Sequence, residues 1–145
     1  MKLFAFLFIV SIPLAQLPPS PPGKLVDIGG YKLHLNCTGK DGPTVVLIAG
    51  AGDFSFDWEL LQPDIARFTR VCSYDRAGLA WSDPGPTPRT MRQDAHELHL
   101  LLKAARVKAP YVLVGHSLGG LIARSYADEF PNEVAGLLLV DPTHE

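Results

Sequence analysis

Two regimes of hydrophobic patterning follow an apolar start in this chain. From Leu25 the period is two. Leu25-Val-Asp-Ile28 runs into Gly29-Gly30, and Tyr31, Leu33 and Leu35 then alternate with Lys32, His34 and Asn36. This predicts a β-hairpin whose glycines tolerate the positive φ of a tight turn, with Lys32, His34 and Asn36 facing outward. The second regime consists of continuous apolar runs. Thr44-Val-Val-Leu-Ile-Ala49, Tyr111-Val-Leu-Val114 and Val134-Ala-Gly-Leu-Leu-Leu-Val140 read as strands buried on both faces, and Val71-Cys-Ser-Tyr74 as a shorter one.

Helical patterns lie between these strands. Asp57 is placed to cap a helical segment from Trp58, bent or restarted at Pro63. Residues 77–89 hold two glycines and three prolines and predict a long loop. Thr90 and Gln93 form a capping box. Behind it Met91, Ala95, Leu98, Leu102 and Ala105 recur at helical spacing, leaving Arg92, His96, His99 and Lys103 outward. Residues 118–130 predict a helix stopped by Pro131. Strands alternating with helices after an opening hairpin call for an α/β fold: a mostly parallel sheet with helices on both faces, joined by right-handed crossovers.

The first residues set a different expectation. Met1-Lys2 precedes the apolar run Leu3-Phe-Ala-Phe-Leu-Phe-Ile-Val-Ser-Ile-Pro-Leu-Ala15, shorter than the roughly 20 residues a membrane-spanning helix needs. Residues 1–15 therefore read as a secretory signal peptide, with a retained hydrophobic anchor as the alternative. A secreted or periplasmic location follows from the first, membrane contact through this segment from the second. Pro18, Pro19, Pro21 and Pro22 make residues 16–24 an extended linker. Residues 25–145 form the domain.

Composition narrows the function. A chain of 145 residues supports one core, and its 47% hydrophobic and 19% charged residues carry no signature of disorder. A net charge of −2 with no basic stripe excludes nucleic acid as a partner. The sequence offers no metal-ligand cluster, phosphate-cradling loop or nucleotide fingerprint, since Gly50-Ala-Gly52 lacks dinucleotide-binding spacing. No cofactor is expected.

The chemistry points to Gly115-His116-Ser117-Leu118-Gly119, a G-x-S-x-G pentapeptide expected by chance in about one chain in twenty of this length. Its setting raises the signal, because a strand leads in and a helix leads out. Such a turn throws the serine Oγ beyond the sheet edge, and bulky neighbours would collide there. Ser117 is thus the candidate nucleophile. The Leu118 N–H, at the helix start, is one natural donor to a developing oxyanion. The second is assigned to the Ala51 N–H, in the turn after Ala49, with Gly52 in reserve. Gly120 is expected to let the helix approach the sheet.

Together these segments resemble the N-terminal half of the α/β-hydrolase fold family, serine-nucleophile type. The resemblance rests on Leu47-Ile-Ala-Gly-Ala-Gly52, Tyr74-Asp-Arg-Ala-Gly-Leu-Ala-Trp-Ser-Asp83, Asp94 with Leu101-Leu102, Val114-Gly-His-Ser-Leu-Gly-Gly120 and Leu139-Val-Asp-Pro-Thr-His-Glu145. It implies Ser117 as nucleophile, Leu118 and Ala51 at the oxyanion hole, and a small acyl compound as substrate. The chain departs from the family at Ala49-Gly50, where His-Gly is common, and at Ala80, where glycine is usual. The likeness also implies strand order 1-2-4-3-5-6 with the second strand antiparallel to its neighbours. Cys37 then lies near Cys72, as a cross-strand disulfide or as two buried thiols.

A serine needs a histidine to take its proton and a carboxylate to hold that histidine, in the order Ser, acid, His. Asp141, ending the strand beside that of Ser117, suits the acid by position, although the family's usual acid follows the next strand. Asp128 and Glu129 sit late in the helix, away from the strand ends. His144 follows Asp141 closely, His116 points away from the nucleophile, and His34, His96 and His99 face solvent. Only five residues follow the last apolar strand, so the expectation is a core cut after its sixth strand, short of acid, histidine and lid, and inactive in this form. The function class is ester or related acyl hydrolysis through an acyl-enzyme. Acyl transfer and a non-catalytic ligand- or partner-binding remnant are the alternatives.

Overall fold

A computed structural model describes residues 20–143; the run of residues 1–15, the first part of the linker and His144 lie outside them. The hairpin pairs β1 (Lys24–Asp27) with β2 (Lys32–Thr38). Gly29 and Gly30 take φ of 113° and 116°, and both donate N–H to the Asp27 carboxylate at 2.8 and 3.1 Å. Then come β3 (Thr44–Ile48), a 3₁₀ turn (Ser55–Trp58), α1 (Gln62–Ile65), β4 (Val71–Tyr74) and α2 (Met91–Ala104). The chain continues with β5 (Tyr111–His116), α3 (Leu118–Glu129), a 3₁₀ turn (Pro131–Glu133) and β6 (Val134–Val140).

The strands form one sheet in the order β1-β2-β4-β3-β5-β6, with β2 antiparallel to β1 and β4 and the remaining pairs parallel. Alternation along β3 divides the core. Val46 and Ile48 face Leu98, Leu101, Leu102, Ile122 and Tyr126 of α2 and α3. Leu47 faces a thinner layer with Val71, Val114, Trp58 and Ile65. Cys37 and Cys72 are register partners in β2 and β4, and a disulfide joins them. Closing a loop of that length removes denatured-state entropy worth about 4 kcal/mol in the chain-entropy account.

Several expectations are corrected. Asp57 does not cap a helix from Trp58. It lies inside the 3₁₀ turn, where its carboxylate accepts the Phe54 N–H at 2.8 Å, and the helix forms only at Gln62–Ile65 with Pro63 in its first turn. β6 is not buried on both faces. Among the described residues it pairs only with β5, and Leu137 to Val140 are 37–55% exposed. His99 is half-buried, stacked on Phe130 with ring centroids 4.0 Å apart.

His34 is the largest departure. It is fully buried, because β2 is an interior strand and Pro22 and Trp81 cover the face that alternation assigned to water. Nδ1 lies 3.0 Å from Asp75 Oδ2 and Nε2 2.5 Å from the Pro22 carbonyl. The Asp75 carboxylate and the Pro22 carbonyl can only accept hydrogen bonds, so both favour a proton on the ring nitrogen they face, and the Ser55 hydroxyl lies 3.4 Å from Nδ1. Asp75 also receives the Ser55 N–H at 2.7 Å. Burial opposes charge on both residues, but their hydrogen bonds outweigh it: His34 is raised above the usual imidazole range and Asp75 held below the usual carboxylate range.

A second buried charge cluster fixes the loop that follows. Arg89 binds the carboxylates of Asp94 and Glu97, both nearly buried, and the Tyr31 hydroxyl donates to Glu97 at 2.5 Å. The loop from Asp75 to Arg89 is thereby anchored at both ends.

The His34–Asp75 pair sets a pH dependence. A raised imidazole stabilises fully below its unfolded value near 6.5 and loses that effect as pH rises through the folded value. A depressed carboxylate stabilises above about 3.9 and loses it as pH falls through its folded value. The pair's contribution is therefore greatest between about pH 4 and 6.5. In thermal melts across pH, His34→Gln is expected to cost about 3 kcal/mol near pH 5.5 and clearly less near pH 9.

Candidate active site

The turn between β5 and α3 is built by close contact. Ser117 has φ 50° and ψ −121°, a conformation L residues rarely adopt. Three glycines permit it. A methyl group at Gly115 would lie 2.4 Å from the Gly119 carbonyl oxygen, and one at Gly119 only 2.1 Å from that of Ile48. At Gly120 a methyl would meet Pro142 Cβ at 2.9 Å. Gly119 therefore allows α3 to approach β3, and Gly120 makes room for the chain after β6, which corrects the role expected of Gly120.

Backbone hydrogen bonds hold the strained residue. Ser117 N–H donates to Val140 O at 3.1 Å, and Ser117 O accepts from Gly120 N at 2.9 Å and Thr143 N at 3.2 Å. The half-buried side chain places Oγ 3.4 Å from Thr143 Oγ1. Among the described residues, the Leu118 N–H donates no hydrogen bond, as befits the first residue of a helix. The Ala51 N–H donates none either, and its loop lies alongside: a methyl on Gly50 would sit 3.4 Å from Ser117 Cβ.

Arg76 holds that loop, and sequence reasoning passed over it. Its side chain, 7% exposed, donates from Nη1 to Ala49 O at 2.5 Å and from Nη2 to Gly50 O at 2.6 Å. Its place after β4, directly beside β3 in the implied strand order, was the available signal.

No imidazole is brought to the serine: among the described residues, none lies within hydrogen-bond distance of Ser117 Oγ. His116 Nδ1 instead faces Asp53 Oδ2 at 3.6 Å, beside a hollow of about 240 Å³ lined partly by Trp58 and Val140. His96 pairs with Glu129 and His99 with Glu133, at 3.1 and 3.0 Å. Asp141 stands in the bend after β6 with φ 42° and, among the described residues, holds no histidine.

The chain belongs to the α/β-hydrolase fold family, whose model matches residues 43–145. It is 40% identical over 120 residues to the uncharacterised protein YqjL of Bacillus subtilis, covering 82% of this chain and 47% of YqjL. Among solved structures it resembles an esterase from Thermogutta terrifontis (TM-score 0.73, 28% identity, covering 78% of this chain and 41% of that one). It also resembles Est816, an N-acyl homoserine lactone degrading enzyme (TM-score 0.76, 25% identity, covering 82% and 45%). The chain thus spans about half the length of these proteins, or less. Among the described residues no helix is long and apolar enough to cross a membrane.

The glycine contacts separate two classes of substitution. Gly119→Ala drives a methyl into the Ile48 carbonyl and is expected to cost about 3 kcal/mol or more. At Gly136, in β6, nothing lies within 4 Å, and Gly136→Ala is expected to change stability by no more than about 1 kcal/mol. Chemical denaturation of the two variants checks the contrast.

Proposed function

We propose that the domain to which this chain contributes is a serine hydrolase of esters or related acyl substrates, acting through an acyl-enzyme at Ser117. The observation that carries this reading is the backbone of Ser117, held at φ 50° at the start of α3, with the Leu118 and Ala51 N–H groups meeting no partner among the described residues. Strain of this kind has a cost of about 1–3 kcal/mol, and it sits among three glycines at which a side chain would collide. The likeness to the esterase and to Est816 supports acyl substrates.

In the proposed reaction Ser117 Oγ attacks the acyl carbonyl and gives its proton to a base. The leaving group departs with a proton, and water then releases the acyl group. The tetrahedral oxyanion is held by the N–H groups of Leu118 and Ala51, each worth about 3–4 kcal/mol in the transition state. Hydrolysis needs an imidazole that the described residues do not bring to Ser117, so residues 20–143 alone are not expected to turn over. Asp141, at a strand end near the elbow, is kept as the candidate acid within this chain. The open base position is also what favours a second reading, a binding module that keeps the bend without the chemistry.

Hydrolysis of an activated acyl ester separates the two. A protein carrying this domain at the length of its relatives is expected to hydrolyse it, with Ser117→Ala lowering kcat by about 10⁴-fold or more. No turnover by either protein would leave the binding module standing, and equal turnover by both would remove Ser117 as the nucleophile.

A further inference from the structure

Arg76 has more to do than fill space. The Gly50 carbonyl that it grips and the Ala51 N–H assigned to the oxyanion hole belong to one peptide unit. In a planar trans peptide these two groups point in opposite directions. A guanidinium fixed on the carbonyl at 2.6 Å therefore aims the N–H away from itself, out of the loop. The second bond, 2.5 Å to Ala49 O, fixes the preceding peptide as well, so the loop cannot pivot about one contact.

Charge adds to geometry. Among the described residues Arg76 pairs with no carboxylate, so its cation is directed at these two carbonyls. A charge-assisted bond to a carbonyl withdraws electron density along the amide and makes its N–H a stronger donor, the polarisation that strengthens chains of hydrogen bonds. The site is nearly dry on the Arg76 side, where screening is weak. The turn has one long backbone bond of its own, from the Asp53 N–H to Gly50 O at 3.3 Å, and Gly52, with φ 78° and no neighbour within 4 Å of an added methyl, adds no packing to hold it. Ala49, just before the turn, has no polar side-chain group with which to brace it.

We propose that Arg76 is a positioning residue for acyl transfer: it orients and polarises the Gly50–Ala51 peptide so that the Ala51 N–H stabilises the oxyanion. The inference rests on the reading of Ser117 as nucleophile, and its test keeps the two apart.

The first measurement needs no turnover. In amide NMR spectra of the 145-residue chain, Arg76→Met is expected to move the Ala51 N–H proton upfield and speed its exchange, while amides of α2 and β5 stay in place. The second uses the hydrolytically active protein. Arg76→Met is expected to lower kcat on an activated ester about 10- to 100-fold with little change in KM, and Arg76→Lys to lose less. The loss should shrink for the matching thionoester, whose sulfur is a poor hydrogen-bond acceptor. A purely structural residue would give equal losses on both substrates. An unmoved Ala51 amide in folded Arg76→Met, an unchanged kcat, or equal losses on ester and thionoester would overturn the proposal. Should Arg76→Met fail to fold, Arg76→Lys carries the same comparisons. If Ser117→Ala keeps full activity, it is the nucleophile reading that fails, whatever Arg76 does.

Discussion

The approach of α3 to the end of β3 is the constraint on which the rest of this structure depends. With a glycine at position 119, the first turn of the helix rests against the Ile48 carbonyl at a distance no side chain would tolerate. That contact goes with a sharp reversal after β5, which leaves Ser117 in the rare backbone conformation of φ 50° and ψ −121°. It also brings the start of a helix and the end of a parallel strand side by side. Among the described residues the N–H groups of Leu118 and Ala51 have no partner, which leaves them available to the oxyanion of the proposed reaction.

Charge organises the surroundings of this bend. The ring of His34 and the carboxylate of Asp75 are buried together beside Trp81, tying the linker at Pro22 to the end of β4. The next residue, Arg76, carries its charge to the loop after β3. Further on, Arg89 closes the same segment onto α2 through Asp94 and Glu97. Buried ionic groups are costly when unpaired, so each acts as an anchor that admits one geometry. The segment from Asp75 to Arg89 has almost no regular structure, yet these anchors give it a defined path.

Much of this was legible in the sequence where local rules decide. The hairpin glycines, the Thr90 cap and the pentapeptide around Ser117 depend on near neighbours, and the strand order followed from the family likeness. What escaped depended on distant parts of the chain. Alternation put His34 outward because period two assumes one wet face, whereas Pro22 and Trp81 cover it. Helical spacing passed over Asp94 and Glu97, whose burial makes sense only with Arg89 between them. Arg76 had no local signal at all, since its partners lie 26 and 27 residues earlier. The helix approach expected of Gly120 falls to Gly119, because which neighbour each glycine admits is a tertiary fact.

Covalent capture addresses the central claim most directly. The active protein, treated with a fluorophosphonate that reacts only with activated hydroxyls, would be digested and its adduct located by mass spectrometry. The account predicts one phosphonyl group, on the peptide bearing Ser117. An adduct on another serine, with the residue-117 peptide unmodified, would contradict it.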